Sequence, residues 1–250
     1  MIYFIVSFIV LICAFIFSML GLGGALLYIP IFKWFGFDFK TVAIPTGLFL
    51  NGITALSSSI YYLRSKMVDI KGAIPMIITS FIGAPLGAYT TKFIPTSTLI
   101  ILFAIGMSIA GIRMILSSSY AEPTSLMPFL KRAVITGSIS FFIGFIAGLL
   151  GIGGGFLFVP MLIAVGYPTK IAAATTSFIV VFSSFSGFAG HVTEGHFDLR
   201  LLIFTTIAVI IGSQIGARVM KGKMKPLWIK RLIGFILIGV AIKLVSKILF

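Results

Sequence analysis

Two glycine clusters interrupt apolar stretches at matching positions of this chain. They read Gly21-Leu-Gly-Gly-Ala25 and Gly151-Ile-Gly-Gly-Gly155, and their first residues are 130 positions apart. A helix that breaks at membrane depth is tolerated only where the freed backbone is buried in protein or lines a watery cavity. Interruptions of this kind in corresponding segments of two halves are typical of the binding site of a transporter.

The composition indicates a membrane protein. Of the 250 residues, 59% are hydrophobic and 10% are charged, whereas a soluble domain carries about 25% charged residues. The net charge of +14 comes from Lys and Arg in short segments between apolar runs. This pattern favours topology signals and contacts with anionic membrane lipids over nucleic-acid binding. Cys13 is the single cysteine, so an intrachain disulfide is excluded, and we expect neither a metal nor a cofactor.

The apolar runs predict an all-α protein with about eight spans or ten helical segments. The second run of each half covers only about 13 residues, or roughly 20 Å of helix, which is too short for a bilayer core of about 30 Å. Each short run is therefore predicted to be a half-helix that forms a broken hairpin with the run before it. The runs lie at 2–20, 24–36, 41–62, 72–91, 96–116, 132–150, 154–166, 171–190, 199–219 and 227–249.

The chain is predicted to be an internal duplication within one integrated transmembrane domain. Residues 1–116 form the first repeat, 117–131 a linker, and 132–250 the second repeat. The two halves match in an ordered series well beyond the glycine clusters, which a chance match of glycines does not produce. Gly36, Lys40, Ala43 and Thr46 correspond to Gly166, Lys170, Ala173 and Thr176, and Asp69 corresponds to Asp198 after a one-residue deletion.

The distribution of Lys and Arg predicts that the two repeats are inverted. If each broken hairpin returns to its starting side, twelve of these residues collect on one face and six on the other, with Arg218 not assigned to either face. If the short run crosses instead, the split is nine against nine, which carries no signal. Cytoplasmic loops are enriched in Lys and Arg, so we expect inverted repeats with both termini outside. The six on the sparser face are Lys33, Lys40, Lys92, Arg200, Lys243 and Lys247.

The ordered motifs of the second half resemble those of the TauE/SafE family of sulfite-exporter-like permeases. They are Gly151-Ile-Gly-Gly-Gly with the apolar run to Pro160, Gly166-Tyr-Pro-Thr-Lys-Ile-Ala-Ala-Ala-Thr-Thr-Ser177, Phe-Ser-Gly187, Gly195-His-Phe-Asp198 and Gly212-Ser-Gln-Ile-Gly-Ala-Arg218. The resemblance implies transport of sulfur-containing and related organic anions such as sulfite, sulfonates and sulfoacetate, without a cofactor. The first half departs from the pattern at Ala25 and at Pro45-Thr46-Gly47, so we expect two unequal half-sites.

The candidate substrate-binding groups are backbone amides and uncharged polar side chains. All five acidic residues fall in or beside predicted loops, so an intramembrane carboxylate relay is not expected. Helix starts leave unpaired N–H groups and a partial positive charge, and glycines let an anion approach those amides closely. The predicted binding residues are Gly21, Gly23, Gly24, Ala25, Thr46, Asn51, Gly151, Gly153, Gly154, Gly155, Thr175, Thr176, Ser177 and Gln214.

Each candidate also has an interpretation without function. The glycines could serve close helix packing, which we favour for the pairs Gly83/Gly87 and Gly212/Gly216 because their spacing places both members on one helix face. Ser and Thr hydroxyls commonly bond to their own helix, and Gln214 could equally well contact protein. His191, Glu194 and His196 look like a metal set, but we interpret His191 as an exposed loop residue.

The favoured function is a secondary transporter, not an enzyme, located in the cell membrane. It would move small anions, such as sulfur oxyanions or organosulfonates, by alternating access. An anion channel, or a membrane scaffold or enzyme without transport, is the alternative. Apart from the anionic substrate and membrane lipids no partner is predicted, and the exact substrate, the direction, proton or cation coupling and the oligomeric state stay open.

Overall fold

The computed structural model describes residues 2–116, 126–192 and 195–222, together with isolated positions between 235 and 246. Within these ranges the chain is helical and contains no strand. Nine α-helices are described there, and a short π-helical turn, Phe39–Ala43, precedes the third of them. The helices are α1 (Ile2–Met19), α2 (Ala25–Trp34), α3 (Ile44–Arg64), α4 (Ile70–Thr91), α5 (Thr96–Leu116), α6 (Phe129–Leu150), α7 (Gly155–Ala164), α8 (Thr169–His191) and α9 (Leu199–Gly222).

The helix bounds agree with the predicted runs, with two differences. The π-helical turn at Phe39–Ala43 was not predicted. Helix α6 begins at Phe129, three residues before the predicted start of the second repeat. Most of the predicted linker, and all but a few positions of the predicted run at 227–249, lie outside the described residues.

The surface of the helices is apolar and their interior holds polar groups, which is the distribution expected in lipid. Phe4, Phe8 and Phe142 are each 65% exposed, whereas Asn51 and Thr205 are fully buried. In water such a surface would be an aggregation liability. Six helices of the described part are long and apolar enough to cross a membrane, while Ala25–Trp34 and Gly155–Ala164 are shorter. The prediction of two half-helices thus agrees with the structure.

Helix α4 packs against α6 through small residues on both helices. A Cβ at Gly83 would collide with the backbone of Phe141, and one at Gly87 with the backbone of Phe145. From the other side, a Cβ at Gly148 would collide with Ala84. Residue numbers rise together along the two helices, so α4 and α6 run parallel. The interpretation of Gly83 and Gly87 as packing residues is therefore confirmed.

Helices α1 and α9 form the corresponding pair. A Cβ at Gly212 would collide with the backbone of Leu11, and one at Gly216 with the backbone of Phe15. Residue numbers again rise together, so these helices also run parallel and in close contact. In the predicted duplication α1 corresponds to α6 and α9 to α4. The contact of α1 with α9 is therefore the counterpart of the contact of α6 with α4, as expected for two halves related by a pseudo-twofold axis.

Helices α3 and α8, which correspond to each other in the predicted duplication, cross in the middle of the protein and run antiparallel. Leu48 lies against Gly187, and Asn51 is hydrogen-bonded to Ser184, so residue numbers rise on α3 as they fall on α8. Both helices carry many small and polar residues and are the most deeply buried of the candidate spans. This pair forms the centre around which both half-helices are placed.

Candidate functional site

The first glycine cluster forms a sharp break between α1 and α2. Gly21 and Gly23 adopt φ angles of +70° and +79°, a left-handed conformation that glycine reaches without steric cost. A Cβ at Gly21 would collide with the backbone carbonyl of Ala173 on α8. The chain therefore turns back beside the opposite half of the molecule before α2 begins.

Asn51 of α3 caps the start of α2. Its Oδ1 accepts hydrogen bonds from the backbone N–H groups of Gly24 (2.5 Å) and Ala25 (2.8 Å). Caps of this type satisfy the N–H groups that a helix start leaves without an intrahelical acceptor. Here the capping side chain comes from a different helix, 27 residues away along the chain.

The second glycine cluster forms an equivalent break between α6 and α7, with one chemical difference. Gly151, Gly153 and Gly154 have φ angles of +74°, +69° and +75°. The N-cap residue of α7 is Gly154, which has no side chain, and the residue that corresponds to Asn51 at the offset of 130 is the apolar Val181. The two breaks therefore differ at the position that caps α2.

The two breaks meet at Asn51. Its Nδ2 donates a hydrogen bond of 2.7 Å to the Ser184 hydroxyl, and a Cβ at Gly153 would collide with that same Nδ2. A Cβ at Gly155 would lie 2.5 Å from the carbonyl oxygen of Leu22. The predicted residues at 21–25 and 151–155 are thus brought together in the interior, as a shared site requires.

Thr175, Thr176 and Ser177 lie on α8 between its contacts with the two breaks. Ala173 contacts the first break, and the Ser183 hydroxyl donates to the carbonyl of Gly153 in the second break. Thr175 accepts a hydrogen bond from the N–H of Asp69, 3.1 Å away. Thr46, the counterpart of Thr176 on α3, is buried as well.

The hydroxyls of Thr176 and Ser177 are buried without a hydrogen-bond partner among the described residues. The two residues are 0% and 1% exposed. Leaving a polar group unpaired in a low-dielectric interior costs free energy. Most Ser and Thr hydroxyls elsewhere on the described helices bond to their own helix, as in Thr54 to the carbonyl of Leu50. The hydroxyls of Ser7 and Ser140 are unpaired as well, but Thr176 and Ser177 are neighbours on the section of α8 between the two breaks.

Gln214 does not lie at the glycine breaks. Its Nε2 donates to the backbone oxygen of Ser57 at 2.6 Å and to the Ser57 hydroxyl at 3.1 Å. Ser57 is six residues, or about 9 Å along a helix, from Asn51. The amide of Gln214 links α9 to α3 in this structure, and the sequence motif could not indicate which partner it would find.

The interpretation of His191 as an exposed loop residue is wrong. His191 is the last residue of α8, is 5% exposed and has its Nε2 3.0 Å from the backbone oxygen of Gly148. It closes the contact between α8 and α6. Glu194 lies outside the described residues, and in the described part of the chain no group of three or more His, Cys, Asp or Glu side chains could hold a metal ion.

The acidic residues of the described ranges lie at helix starts, away from the glycine breaks. Asp38 accepts hydrogen bonds from the N–H groups of Thr41 and Lys40, and the bond from Thr41 is the main reason that the pKa of Asp38 lies below its ordinary value. Asp198 similarly receives the N–H groups of Arg200 and Leu201. The breaks are therefore lined by amides and hydroxyls rather than carboxylates.

A partly buried ionic cluster near the start of α8 was not predicted. Arg132 of α6, 8% exposed, lies 3.6 Å from Asp69, whose carboxylate also accepts a 2.7 Å hydrogen bond from the Tyr167 hydroxyl. Burial, followed by this hydrogen bond, raises the pKa of Tyr167 above its ordinary value. In the sequence Arg132 could not be distinguished from a basic residue that serves as a topology signal. The structure separates it from its neighbour Lys131, which is exposed.

Sequence comparisons agree with the architecture. Residues 6–244 match the sequence model of the family described as Sulfite exporter TauE/SafE. The probable membrane transporter protein YunE of Bacillus subtilis is 28% identical over 93% of both chains. A probable membrane transporter protein of Methanocaldococcus jannaschii is 28% identical over 88% of this chain and 86% of its own.

A shorter similarity links this chain to a plant protein. Sulfite exporter TauE/SafE family protein 6 of Arabidopsis thaliana is 43% identical over 68 residues, which are 27% of this chain and 16% of the plant protein. No solved structure matches the chain. The apolar helices and the relatives together identify a multi-pass membrane protein. Because the family match covers nearly the whole chain, the protein belongs to the TauE/SafE family of membrane transporters.

Proposed function

We propose that this protein is a secondary transporter that moves small anions, with the substrate bound where the two glycine breaks meet. The observation that carries the proposal is the convergence of the starts of α2 and α7 on the single side chain of Asn51. Helix starts bind anions through N–H groups and the helix dipole. Two of them at one interior point provide such a site without a fixed cation.

The chemistry of the α2 cap supports an anionic ligand. Asn51 offers a carbonyl oxygen to the N–H groups of Gly24 and Ala25, which is where an oxyanion would place its own oxygen. Helix α7 has a glycine at its N-cap and Val181 where α3 has Asn51, so we assign its first N–H groups to the substrate. Neutral donors bind an anion less tightly than a full positive charge does, which favours release as well as capture.

The unpaired hydroxyls of Thr176 and Ser177 are assigned to the same site. Both lie on the section of α8 bounded by its contacts with the two breaks, and both could donate to an oxyanion. Thr46, Thr175 and the glycines of each break complete the proposed lining. Gln214 is assigned to the α3–α9 contact instead, because its amide is engaged by Ser57.

The proposed mechanism is alternating access by two inverted repeats, with eight spans in total. The antiparallel crossing of α3 and α8 supports inversion, since these helices occupy equivalent places in the two repeats. The parallel pairs α1–α9 and α4–α6 are compatible with inverted and with parallel repeats, so the antiparallel crossing carries the argument. Movement of one half against the other around the central crossing would expose the site to each side in turn.

We assign the substrate class to sulfur oxyanions or organosulfonates. The family description names sulfite export, and the plant relative bears the same family name. Sulfite and sulfonates present several oxygens that accept hydrogen bonds. Amides from the starts of two half-helices, together with hydroxyls of α3 and α8, match that chemistry without requiring a carboxylate or a metal.

The test is uptake of radiolabelled sulfite into proteoliposomes by Ser177→Ala and Thr176→Val variants. A hydrogen bond to a charged ligand contributes about 1.5–3 kcal/mol, so kcat/KM should fall roughly 10- to 150-fold for each. Thermal stability should stay level or rise, because the hydroxyl that is removed has no protein partner.

Ser186→Ala is the matched control on the same helix. The Ser186 hydroxyl donates to the backbone oxygen of Phe81 on α4, so its loss should lower stability slightly and leave kcat/KM unchanged. Unchanged uptake by both Thr176→Val and Ser177→Ala would contradict the proposed binding site. Ion flux far above carrier turnover would favour a channel instead of a transporter.

A further inference from the structure

We propose that Arg132 is the anion-capturing residue at one mouth of the transport path, and that Asp69 holds it as a displaceable competitor of the substrate. This inference rests on the proposed function. It concerns an ionic cluster formed by Arg132 of α6, Asp69 before α4 and Tyr167 before α8, in which Asp69 is half-buried and the other two are buried.

Arg132 is buried but poorly satisfied. It is 8% exposed, and no other Lys or Arg side chain for which burial is described is buried. A guanidinium has five N–H donors, yet its ion pair within the described residues is a single contact of 3.6 Å to Asp69. It also lies over the rings of Tyr167 and Phe129, whose centroids are 4.9 Å and 5.8 Å away. A desolvated guanidinium normally requires several hydrogen bonds, so the donors without a partner among the described residues point to an anionic ligand.

Asp69 can release Arg132 without becoming unsatisfied. Its carboxylate accepts the N–H of Gly72 at 3.0 Å, which caps α4, and the hydroxyl of Tyr167 at 2.7 Å. These two donors stay in place when the guanidinium turns to another partner. The ion pair is therefore asymmetric, since Arg132 depends on Asp69 more than Asp69 depends on Arg132.

The equivalent position in the other repeat shows that the arginine is not needed for the helix cap. Asp198 starts α9 as Asp69 starts α4, and it accepts N–H groups of its own helix in the same way. Its long-range partner is the hydroxyl of Tyr3 at 2.8 Å. Asp69 and Asp198 thus each cap a helix and each accept a hydrogen bond from a tyrosine hydroxyl. In the described part of the chain, a buried arginine is found only beside Asp69.

The cluster lies next to the proposed binding site. The backbone N–H of Asp69 donates to the hydroxyl of Thr175, and Thr175 precedes the two unpaired hydroxyls of α8. An anion that enters from this end would meet Arg132 first and then the hydroxyls and amides. Capture by Arg132 and transfer to neutral donors would allow fast entry without a fixed charge at the centre.

The inference predicts effects of opposite sign for two variants. Arg132→Gln removes the capturing charge, so the KM for sulfite in proteoliposomes should rise about tenfold or more. Asp69→Asn keeps an oxygen to cap α4 but removes the competing charge, so KM should fall about threefold or more. The double variant should behave like Arg132→Gln. Sulfite-dependent thermal shifts of the purified protein should give dissociation constants that follow the same order.

A purely structural ion pair gives a different pattern. Both single variants would then lose stability and transport together, and the double variant would recover part of the loss, which would overturn the inference. If Arg132→Gln does not fold, Arg132→Lys, which keeps the positive charge, replaces it in the experiment. A KM of Arg132→Lys within threefold of wild type, together with the predicted fall in KM of Asp69→Asn, would support the inference.

Failure of the inference can be separated from failure of the proposed function. Wild-type protein that moves none of sulfite, sulfate, methanesulfonate, phosphate or acetate would overturn both. Wild-type protein that transports sulfite, with Arg132→Gln and Asp69→Asn unchanged in KM, would overturn only the role of Arg132.

Discussion

Replacing Asn51 with alanine offers the most direct test of the amide site. The substitution deletes the oxygen that accepts from Gly24 and Ala25 and the amide that donates to Ser184. Two buried N–H groups then lack a partner, at about 1–3 kcal/mol each. We expect a loss of about 2–6 kcal/mol, or a fall in Tm of roughly 4–24 °C for a chain of this size.

The same variant should be rescued by the substrate. Three side-chain heavy atoms are removed, which leaves room for a small oxyanion against the freed amides of α2. Sulfite at 100 times its Kd would return about 2.7 kcal/mol. Thermal unfolding of detergent-solubilised protein, with ionic strength balanced by sodium gluconate, should therefore show a larger sulfite-induced rise in Tm for Asn51→Ala than for wild type.

Thr54→Ala is the matched control for this experiment. Thr54 is equally buried one turn further along α3 and holds the hydroxyl of Tyr28 at 3.0 Å, but its loss frees no backbone N–H group. It should be destabilised without rescue by sulfite. Equal sulfite responses of Asn51→Ala and wild type, or an equal rescue of Thr54→Ala, would refute the assignment of the α2 amides to an anion site.

Three further predictions concern packing, pH and topology. Gly87→Leu should prevent folded protein from accumulating in the membrane, because a side chain there collides with the backbone of Phe145, and gel filtration of the extracted protein measures this. Asp38→Ala should lower Tm at pH 7. Since the pKa of Asp38 lies below its ordinary 3.8 in the folded protein, its stabilising effect is present above that value, and the Tm difference should vanish as pH falls through the lowered pKa. A reporter that is active only in the cytoplasm, fused after Phe250, should be inactive, and activity would contradict inverted repeats with outside termini.

The sequence by itself determined the local architecture. Apolar runs and glycine clusters predicted half-helices at 24–36 and 154–166, and the structure has them at Ala25–Trp34 and Gly155–Ala164. Lipid requires every backbone group of a span to be paired within its own helix, so composition and breakers alone place the elements. The pairs of glycines four residues apart likewise identified packing faces, because helix periodicity is a local property.

The tertiary structure decided which side chains meet. Asn51 is hydrogen-bonded to Ser184, 133 residues away along the chain. The amide of Gln214 donates to Ser57 instead of lying at the breaks, and His191 is buried against Gly148. Arg132 looked like one more basic residue of a loop until its neighbours were known. These outcomes depend on the crossing of α3 with α8 and on the parallel pairing of α4 with α6. Helix crossings are set by the fit of whole side-chain surfaces from distant segments, which the pattern within a single segment does not contain.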